Sequence, residues 1–497
     1  LVYAKGIKSN EEYLTYGKVL NMRGVPIVII WLDCVPGDVF VNMYSKGELK
    51  NIEEFFENGV MIDNVITCFP TVTEAAEGGI ISGLFAGETN MVGERYFSRK
   101  LGMVMHYKLN ASPEMDLSPK AKERIIDTIV GDSISMGRLI RTSHEVVYDL
   151  LAKSYEKVGS LKMISRIIET ISKIVYSRRP RLLFFTISSD TISHMYGRNS
   201  NEVQAFIKEV DRNFPKLINS LDDVFGKGQY LVFLFSDHGI ADVRNHLDLP
   251  ILLLDYGFKP ASTDVIISEE SNAAALSNGR RMGLLYFAHP ERGWRAKPSY
   301  KMLRNYRLKG RNVDLPKLLS EEEGIEHVFI KRDERTVMVI SEQGEALIEY
   351  DAITNRYRYR VIRGDDPMEY DLVPSWMSEE ELLRRTITSP YPDGVVQVFN
   401  LFRAENCGDL VVNAAPNWDF WEEWDMTYRT LRAAHGGLSK DEMKVFLLVK
   451  GPYIKGSKTR YARLLDIFAT IATYYNAARL VRDTHAIDRM KYLESTS

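Results

Sequence analysis

Cysteine is nearly absent from this chain. Three residues, Cys34, Cys68 and Cys407, are spread over 497 positions with no CxxC pair and no zinc-finger spacing. That argues against a disulfide framework and fits a reducing compartment, so a cytoplasmic location is expected. No apolar run approaches the ~18 residues that cross a bilayer, and no membrane association is expected. The opening Leu-Val-Tyr-Ala-Lys-Gly-Ile-Lys has no signal-peptide core, although a first residue of Leu rather than Met leaves room for a removed leader. An excess of one charge is missing too. With 64 Lys+Arg against 67 Asp+Glu and no basic block, a nucleic acid polymer is not an expected partner. Internal repeats and low-complexity segments are also lacking.

What is present is a set of buried-strand signals that end in chemistry. Leu231 to Phe235 is an unbroken apolar run, the pattern of a strand covered on both faces, and it ends in Ser236-Asp237-His238-Gly239. Val25 to Leu32 is a second such run and closes on Asp33. Leu182 to Ile187 leads into Asp190, with His194 four residues on, so one helical turn would aim both at a single point. Asn64 to Cys68 is a brief strand that runs into Pro70-Thr71-Val72-Thr73-Glu74. There Thr71 and Glu74 fit a capping box, and Thr73 falls in the first helical turn. A hydroxyl at that place faces unpaired N–H groups and the positive end of the helix dipole, which suits a phosphate. His435-Gly436-Gly437 precedes a further strand, Val445 to Val449. Open α/β sheets bind ligands beyond the carboxyl ends of their strands, so these Asp, His and Thr residues belong to one region. Asp and His without Cys suit a metal taken by nitrogen and oxygen.

Helices are expected over the lead-in at 1–22, Glu48 to Asn58, much of 113–178, Asn201 to Leu221 and Tyr461 to Tyr475. Leu249 to Leu254 reads as one more short strand, as do Val395 to Phe399 and Leu410 to Asn413. From about 257 to 395 the βα rhythm is lost. Thr336–Ser341, Ala346–Tyr350 and Tyr357–Ile362 form an antiparallel meander there.

These residues, in this order, resemble the alkaline phosphatase superfamily in its type I phosphodiesterase/nucleotide pyrophosphatase branch. The resemblance rests on Asp33, on Pro70-Thr71-Val72-Thr73 (like the branch's Pro-Thr-x-Thr) and on Gly83-Leu84-Phe85 (like its Gly-Leu-Tyr). It continues through Asp190 and His194, Ser236-Asp237-His238-Gly239, and His435-Gly436 ahead of a strand that ends in Gly451-Pro452. The fold it implies is alkaline-phosphatase-like, a three-layer α/β/α core with a mostly parallel central sheet and an inserted smaller α+β subdomain. Residues 1–256 and 395–497 would form the catalytic core, and 257–394 a cap with antiparallel strands.

The implied activity is hydrolysis of phosphodiester or pyrophosphate bonds, with Thr73 as nucleophile and a phospho-threonine intermediate. It implies two divalent ions, zinc first, with manganese or iron as alternatives. Asp190, His194 and His435 would hold one ion; Asp33, Asp237, His238 and the Thr73 oxygen would hold the other. The implied substrate is a small phosphate ester, a nucleotide among the candidates. Two positions depart from the family pattern. Ala76 stands where members usually carry Asn three residues after the nucleophile, and Cys34 stands where Gly usually follows the first Asp. Asn90, Arg198 and Arg244 are therefore candidates to take a phosphoryl oxygen, and His246 is a further candidate for substrate contact. Ala76 also keeps phosphomonoester or phosphonate hydrolysis open. A non-catalytic metal-binding scaffold is the alternative of a different class.

Overall fold

The computed structural model describes residues 25–107, 118–122, 160–261, 271–421, 431–452, 454 and 461–474. The lead-in at 1–22, the helical stretch expected before 160 apart from 118–122, and Tyr475 lie outside the described residues. Among the described residues no helix is long and apolar enough to cross a membrane.

The strands of the two large sheets are, in chain order, β1 (Ile27–Asp33), β2 (Val60–Ile66), β3 (Leu182–Ser188), β4 (Leu231–Ser236), β5 (Ala273–Asn278), β6 (Met282–Phe287), β7 (Ile325–Asp333), β8 (Thr336–Ile340), β9 (Gly344–Asp351), β10 (Arg356–Gly364), β11 (Leu410–Ala414), β12 (Lys444–Lys450) and β13 (Ala462–Arg463). The helices that frame them are α1 (Gly37–Ser45), α2 (Lys50–Phe56), α3 (Thr73–Ser82), α4 (Ser160–Arg178), α5 (Asp190–Tyr196), α6 (Asn201–Phe225), α7 (Leu249–Tyr256), α8 (Gly394–Leu401) and α9 (Asp466–Tyr474).

The first sheet runs in the order β13-β2-β12-β4-β1-β3. β1 lies parallel to both β3 and β4, while β12 is antiparallel to β4 and β2. Alternate side chains of β1 enter different cores. Ile27, Ile29 and Trp31 pack with Ile467, Phe468 and Ile471 of α9. Val28, Ile30 and Leu32 pack on the other face with residues of α1, α2, α4 and α6. Helices cover both faces, so the strand needs no polar alternation, and this is the physical origin of the apolar runs in the sequence. Register then decides where the chemistry goes. Asp33 lies opposite Ser188, and Leu32 opposite Ser236. The segments after β1, β3 and β4 therefore leave the sheet at one edge, which carries Asp33, Asp190 and Asp237.

The second sheet is antiparallel, in the order β10-β9-β8-β7-β11-β6-β5. The expected meander is its outer part. β11 sits between β7 and β6, so the chain rejoins this sheet after position 395. The boundary expected at 394/395 therefore does not coincide with an edge of the sheet. Nor does the boundary at 256/257, because Leu249, Leu252 and Leu253 of α7 share a core with β5, β6 and β11.

Two segments expected as strands are helices. Val395 to Phe399 lies within α8, whose residues are buried at every position, so no polar phase separates a helical period from an extended one. Leu249 to Leu254 lies within α7, where the Asp248 side chain accepts from Ile251 N at 2.9 Å and a proline occupies the first turn. That capping pattern is written in the sequence and outweighs the leucine run. α8 packs in one core with Phe69, Val72, Leu84 and Phe85, and so fills the space between the second sheet and the segment that carries Thr73.

Candidate active site

Six side chains converge at the strand edge in two groups. Asp190, His194 and His435 form one; Asp33, Asp237 and His238 form the other. In each group the ligand-type atoms lie within 4.8 Å of one another. The groups adjoin, with the rings of His238 and His435 stacked at 4.1 Å between centroids. Asp190 and His194 share one face of α5, as their spacing predicts, with Oδ1 and Nε2 3.2 Å apart. His435 arrives from across the molecule. Ala433–Ala434 pairs with Ala241–Asp248, directly after the Asp237-His238-Gly239 turn. This brings His435 Nε2 to 3.4 Å from Asp190 Oδ1.

The three imidazoles are oriented alike. Nδ1 of His194 lies 2.7 Å from Ala433 O, that of His238 3.0 Å from Gly239 O, and that of His435 2.8 Å from Thr71 O. A carbonyl oxygen only accepts, so each Nδ1 carries the hydrogen and each Nε2 is turned toward the carboxylates. His238 Nε2 stands 3.3 Å from Asp237 Oδ2 and 3.9 Å from Asp33 Oδ1. Asp190 Oδ1 and Asp237 Oδ2 are buried with no hydrogen-bond donor of good geometry. Nitrogen and oxygen atoms gathered at such distances offer a place for a cation.

The titration behaviour agrees. Burial drives the Asp237 carboxyl well above the ordinary range, and the charge of Asp33 adds to this. Burial holds His238 well below the ordinary imidazole value, with His435 pushing the same way. Burial works against a charged Asp190 as well, yet the imidazoles of His194 and His435 hold it well below the ordinary range. His435 is disfavoured as a cation by burial, but its bond to Asp190 lifts it to about 9. Strong shifts crowded into one cluster at a strand edge mark a candidate functional site. Nitrogen and oxygen donors fixed by backbone carbonyls fit a divalent ion of the zinc, manganese or iron kind.

Thr73 opens α3. Its Oγ lies 3.5 Å from His238 Nε2. The first backbone bond of the helix runs from Ala76 N to Val72 O at 3.1 Å, so the helix itself does not use the N–H groups ahead of it. The expected capping box is not formed, because Val72 is the N-cap and makes no side-chain bond. Thr71 has other work. Its hydroxyl donates to Gly437 O at 2.8 Å and accepts from Gly436 N at 2.9 Å, joining the Thr73 segment to the His435 loop.

The substrate candidates fare differently from the ligand residues. Arg198 is committed to Asp38 at 2.8 Å, Asp441 at 3.3 Å and Ile240 O at 3.2 Å. Its charge is already matched within the fold, which corrects its place among phosphate contacts. Arg244 is exposed on the Ala241–Asp248 strand. His246 binds Asp419 through Nδ1 at 2.6 Å, so it belongs to a separate ion-paired group that includes Arg280. Asn90 ends the short helix Ala86–Thr89 at φ 69°, with its side-chain oxygen buried and without a hydrogen-bond partner. Sequence reasoning missed Ser188, which donates to Asp33 Oδ2 at 2.7 Å, and the N–H of Cys34, 3.0 Å from Asp237 Oδ1. It also missed the three carbonyls that orient the histidines; a backbone partner leaves no mark on residue type.

The sequence model of the type I phosphodiesterase / nucleotide pyrophosphatase family matches residues 27–438. The chain belongs to that family. A stretch of 54 residues, 11% of this chain and 10% of the relative, is 46% identical to the alkaline phosphatase PafA of Elizabethkingia meningoseptica. An uncharacterized pyrophosphatase/phosphodiesterase of Schizosaccharomyces pombe is 23% identical over 241 residues, 46% of this chain and 47% of that protein. The chain thus matches less than half the length of these curated relatives. Among solved structures, murine ectonucleotide pyrophosphatase / phosphodiesterase 5, as an inactive threonine-to-alanine variant in complex with AMP, superposes with a TM-score of 0.52. The identity is 12%, over 91% of this chain and 95% of that one. This likeness shows the fold, a mixed α/β architecture with a central sheet.

Proposed function

We propose that this member of the phosphodiesterase/pyrophosphatase family hydrolyses phosphodiester or pyrophosphate bonds of a small nucleotide-like substrate through a phosphorylated Thr73. The observation that carries the reading is the Thr73 hydroxyl at the start of α3, beside two adjoining carboxylate–imidazole groups. Family membership and the AMP bound to the murine neighbour support the substrate class. The threonine-to-alanine change that accompanies inactivity in that neighbour supports a threonine nucleophile.

Asp190, His194 and His435 would hold one divalent ion, and Asp33, Asp237 and His238, with the Thr73 oxygen, a second. Ions held there supply positive charge against the phosphoryl, attacking and leaving oxygens. The rest falls to the chain. The Thr73 oxygen attacks phosphorus, the bond from phosphorus to the leaving oxygen breaks, and the leaving group departs with that electron pair. The Thr73 proton passes to solvent, and the leaving oxygen takes one up from solvent. Water then attacks the phospho-threonine, and the bond from phosphorus to the Thr73 oxygen breaks. One hydrogen of that water restores the Thr73 hydroxyl by way of solvent, and the water oxygen leaves on the phosphoryl product. α3 aims Thr73 at the ligand groups, and its positive end favours the phosphoryl oxygens.

The local match to an alkaline phosphatase favours a second reading, hydrolysis of phosphomonoesters. The test is turnover of an aryl phosphodiester beside an aryl phosphomonoester with added zinc or manganese, wild type against Thr73→Ala. Faster diester turnover that disappears in Thr73→Ala is expected. Undiminished activity in Thr73→Ala would remove the threonine intermediate, and a preference for the monoester would shift the assignment to the second reading.

A further inference from the structure

We propose that Gln397 is a positioning residue for the nucleophile, acting from a helix that carries none of the ligand residues. The proposal rests on the reading of Thr73 as nucleophile. Gln397 lies in α8 and is 2% exposed. A buried amide must find partners for both ends, and this one finds three. Its Oε1 accepts from Phe69 N at 3.1 Å, and its Nε2 donates to Thr67 O at 3.2 Å and to Asp393 Oδ2 at 2.9 Å. One side chain thus takes an N–H and a C=O from alternate residues of an extended segment, as a neighbouring strand does. Thr67 and Phe69 continue the chain just past the end of β2, and Thr73 follows.

The amide cannot turn over. Asp393 only accepts, and Arg463 grips its carboxylate with two bonds of 2.6 Å, both residues being buried. With Nε2 held between two acceptors, Oε1 must face Phe69 N–H. The other side-chain anchors of this segment come from the site. Thr67 Oγ donates to Asp237 O, and Thr71 is joined to Gly436 and Gly437. Gln397 is the anchor that ties the segment to α8 instead, so it sets where Thr73 points relative to the ligand groups. A displacement of about 1 Å at a reacting atom can cost roughly 10²-fold in rate.

Gln397→Met keeps the length of the side chain and removes both hydrogen bonds to the segment. Gln397→Leu, of similar volume and also without the hydrogen bonds, serves if the methionine variant fails to fold. On an aryl phosphodiester, kcat is expected to fall about 10-fold or more, with KM within about threefold and metal content unchanged. Orthovanadate, which engages the Thr73 oxygen, should bind about 10-fold more weakly, while AMP binds within about threefold. A folded variant with wild-type kcat, or with unchanged vanadate affinity, would overturn the proposal. So would parallel loss of vanadate and AMP binding, which a merely structural defect produces. If the wild type turns over no ester, the hydrolase reading fails by itself, and vanadate against AMP still decides the role of Gln397.

Discussion

Two sets of buried charge lie on either side of His435, and they are built differently. On the side of the second sheet, Asp419 receives His246 on one oxygen at 2.6 Å and Arg280 on the other at 2.8 Å. Glu442 receives Gly437 N on one oxygen, and Ser439 Oγ and Arg281 on the other. Each of these carboxylate oxygens has a donor of good geometry within the fold. On the edge of the first sheet, Asp190 Oδ1 and Asp237 Oδ2 are buried without a donor of good geometry, among imidazoles whose Nδ1 atoms are turned to backbone carbonyls. A matched buried charge holds structure together. An unmatched one at a strand edge, beside a hydroxyl on a helix N-terminus, is completed by a ligand.

The sharpest way to break this contrast is chemical. Thr73→Ala should lower kcat on a phosphodiester by on the order of 10⁴-fold while leaving thermal stability near wild type. Retained activity would reduce the unmatched edge to a metal site without a nucleophile. The next effect is in stability and differs in sign between the two sides. Asp419→Ala removes a buried carboxylate from largely buried Arg280 and should cost on the order of 3 kcal/mol in denaturant unfolding. Asp237→Asn, measured without metal, removes a carboxyl that burial and Asp33 disfavour, and should raise stability rather than lower it. Equal losses in the two variants would erase the distinction.

A third effect concerns pH. His327 is fully buried in β7 with Nε2 against Pro367 O at 2.6 Å, and burial lowers it to about 4, whereas His435, facing Asp190, is lifted to about 9. The folded state therefore binds fewer protons at His327 than the unfolded chain does. Its contribution is complete above the ordinary value near 6.5 and is lost as pH falls toward 4, on the order of 3 kcal/mol in all. His327→Gln should flatten that part of the stability–pH curve, and an unchanged slope would count against the assignment. The smallest effect is expected at exposed Arg244, where substitution by Ala should leave kcat within about twofold and stability within about 0.5 kcal/mol. A larger loss of activity would restore Arg244 as a substrate contact.

Much of the site was legible because its residues close apolar runs. Asp33, Asp190 and Asp237 are placed by strands whose two-sided burial leaves a continuous hydrophobic text, and His194 by the helical period. The layout around Gln397 was not legible. α8 is buried on all sides, so Val395 to Phe399 reads as well extended as helical, and its partners lie some 330 positions away. The misread capping box has a similar cause. Thr71 has the residue type of a cap, but tertiary hydrogen bonds to Gly436 and Gly437 claim its hydroxyl. Arg198 has the residue type of a phosphate ligand, but Asp38 and Asp441 take its charge.

The most direct measurement is the metal content of the purified, metal-loaded protein by elemental analysis, wild type beside His194→Ala. Two divalent ions per chain are expected in the wild type and one in the variant, because each ion would draw on a separate group of ligands. A wild type that binds fewer than one ion, or a variant that keeps both, would contradict that expectation.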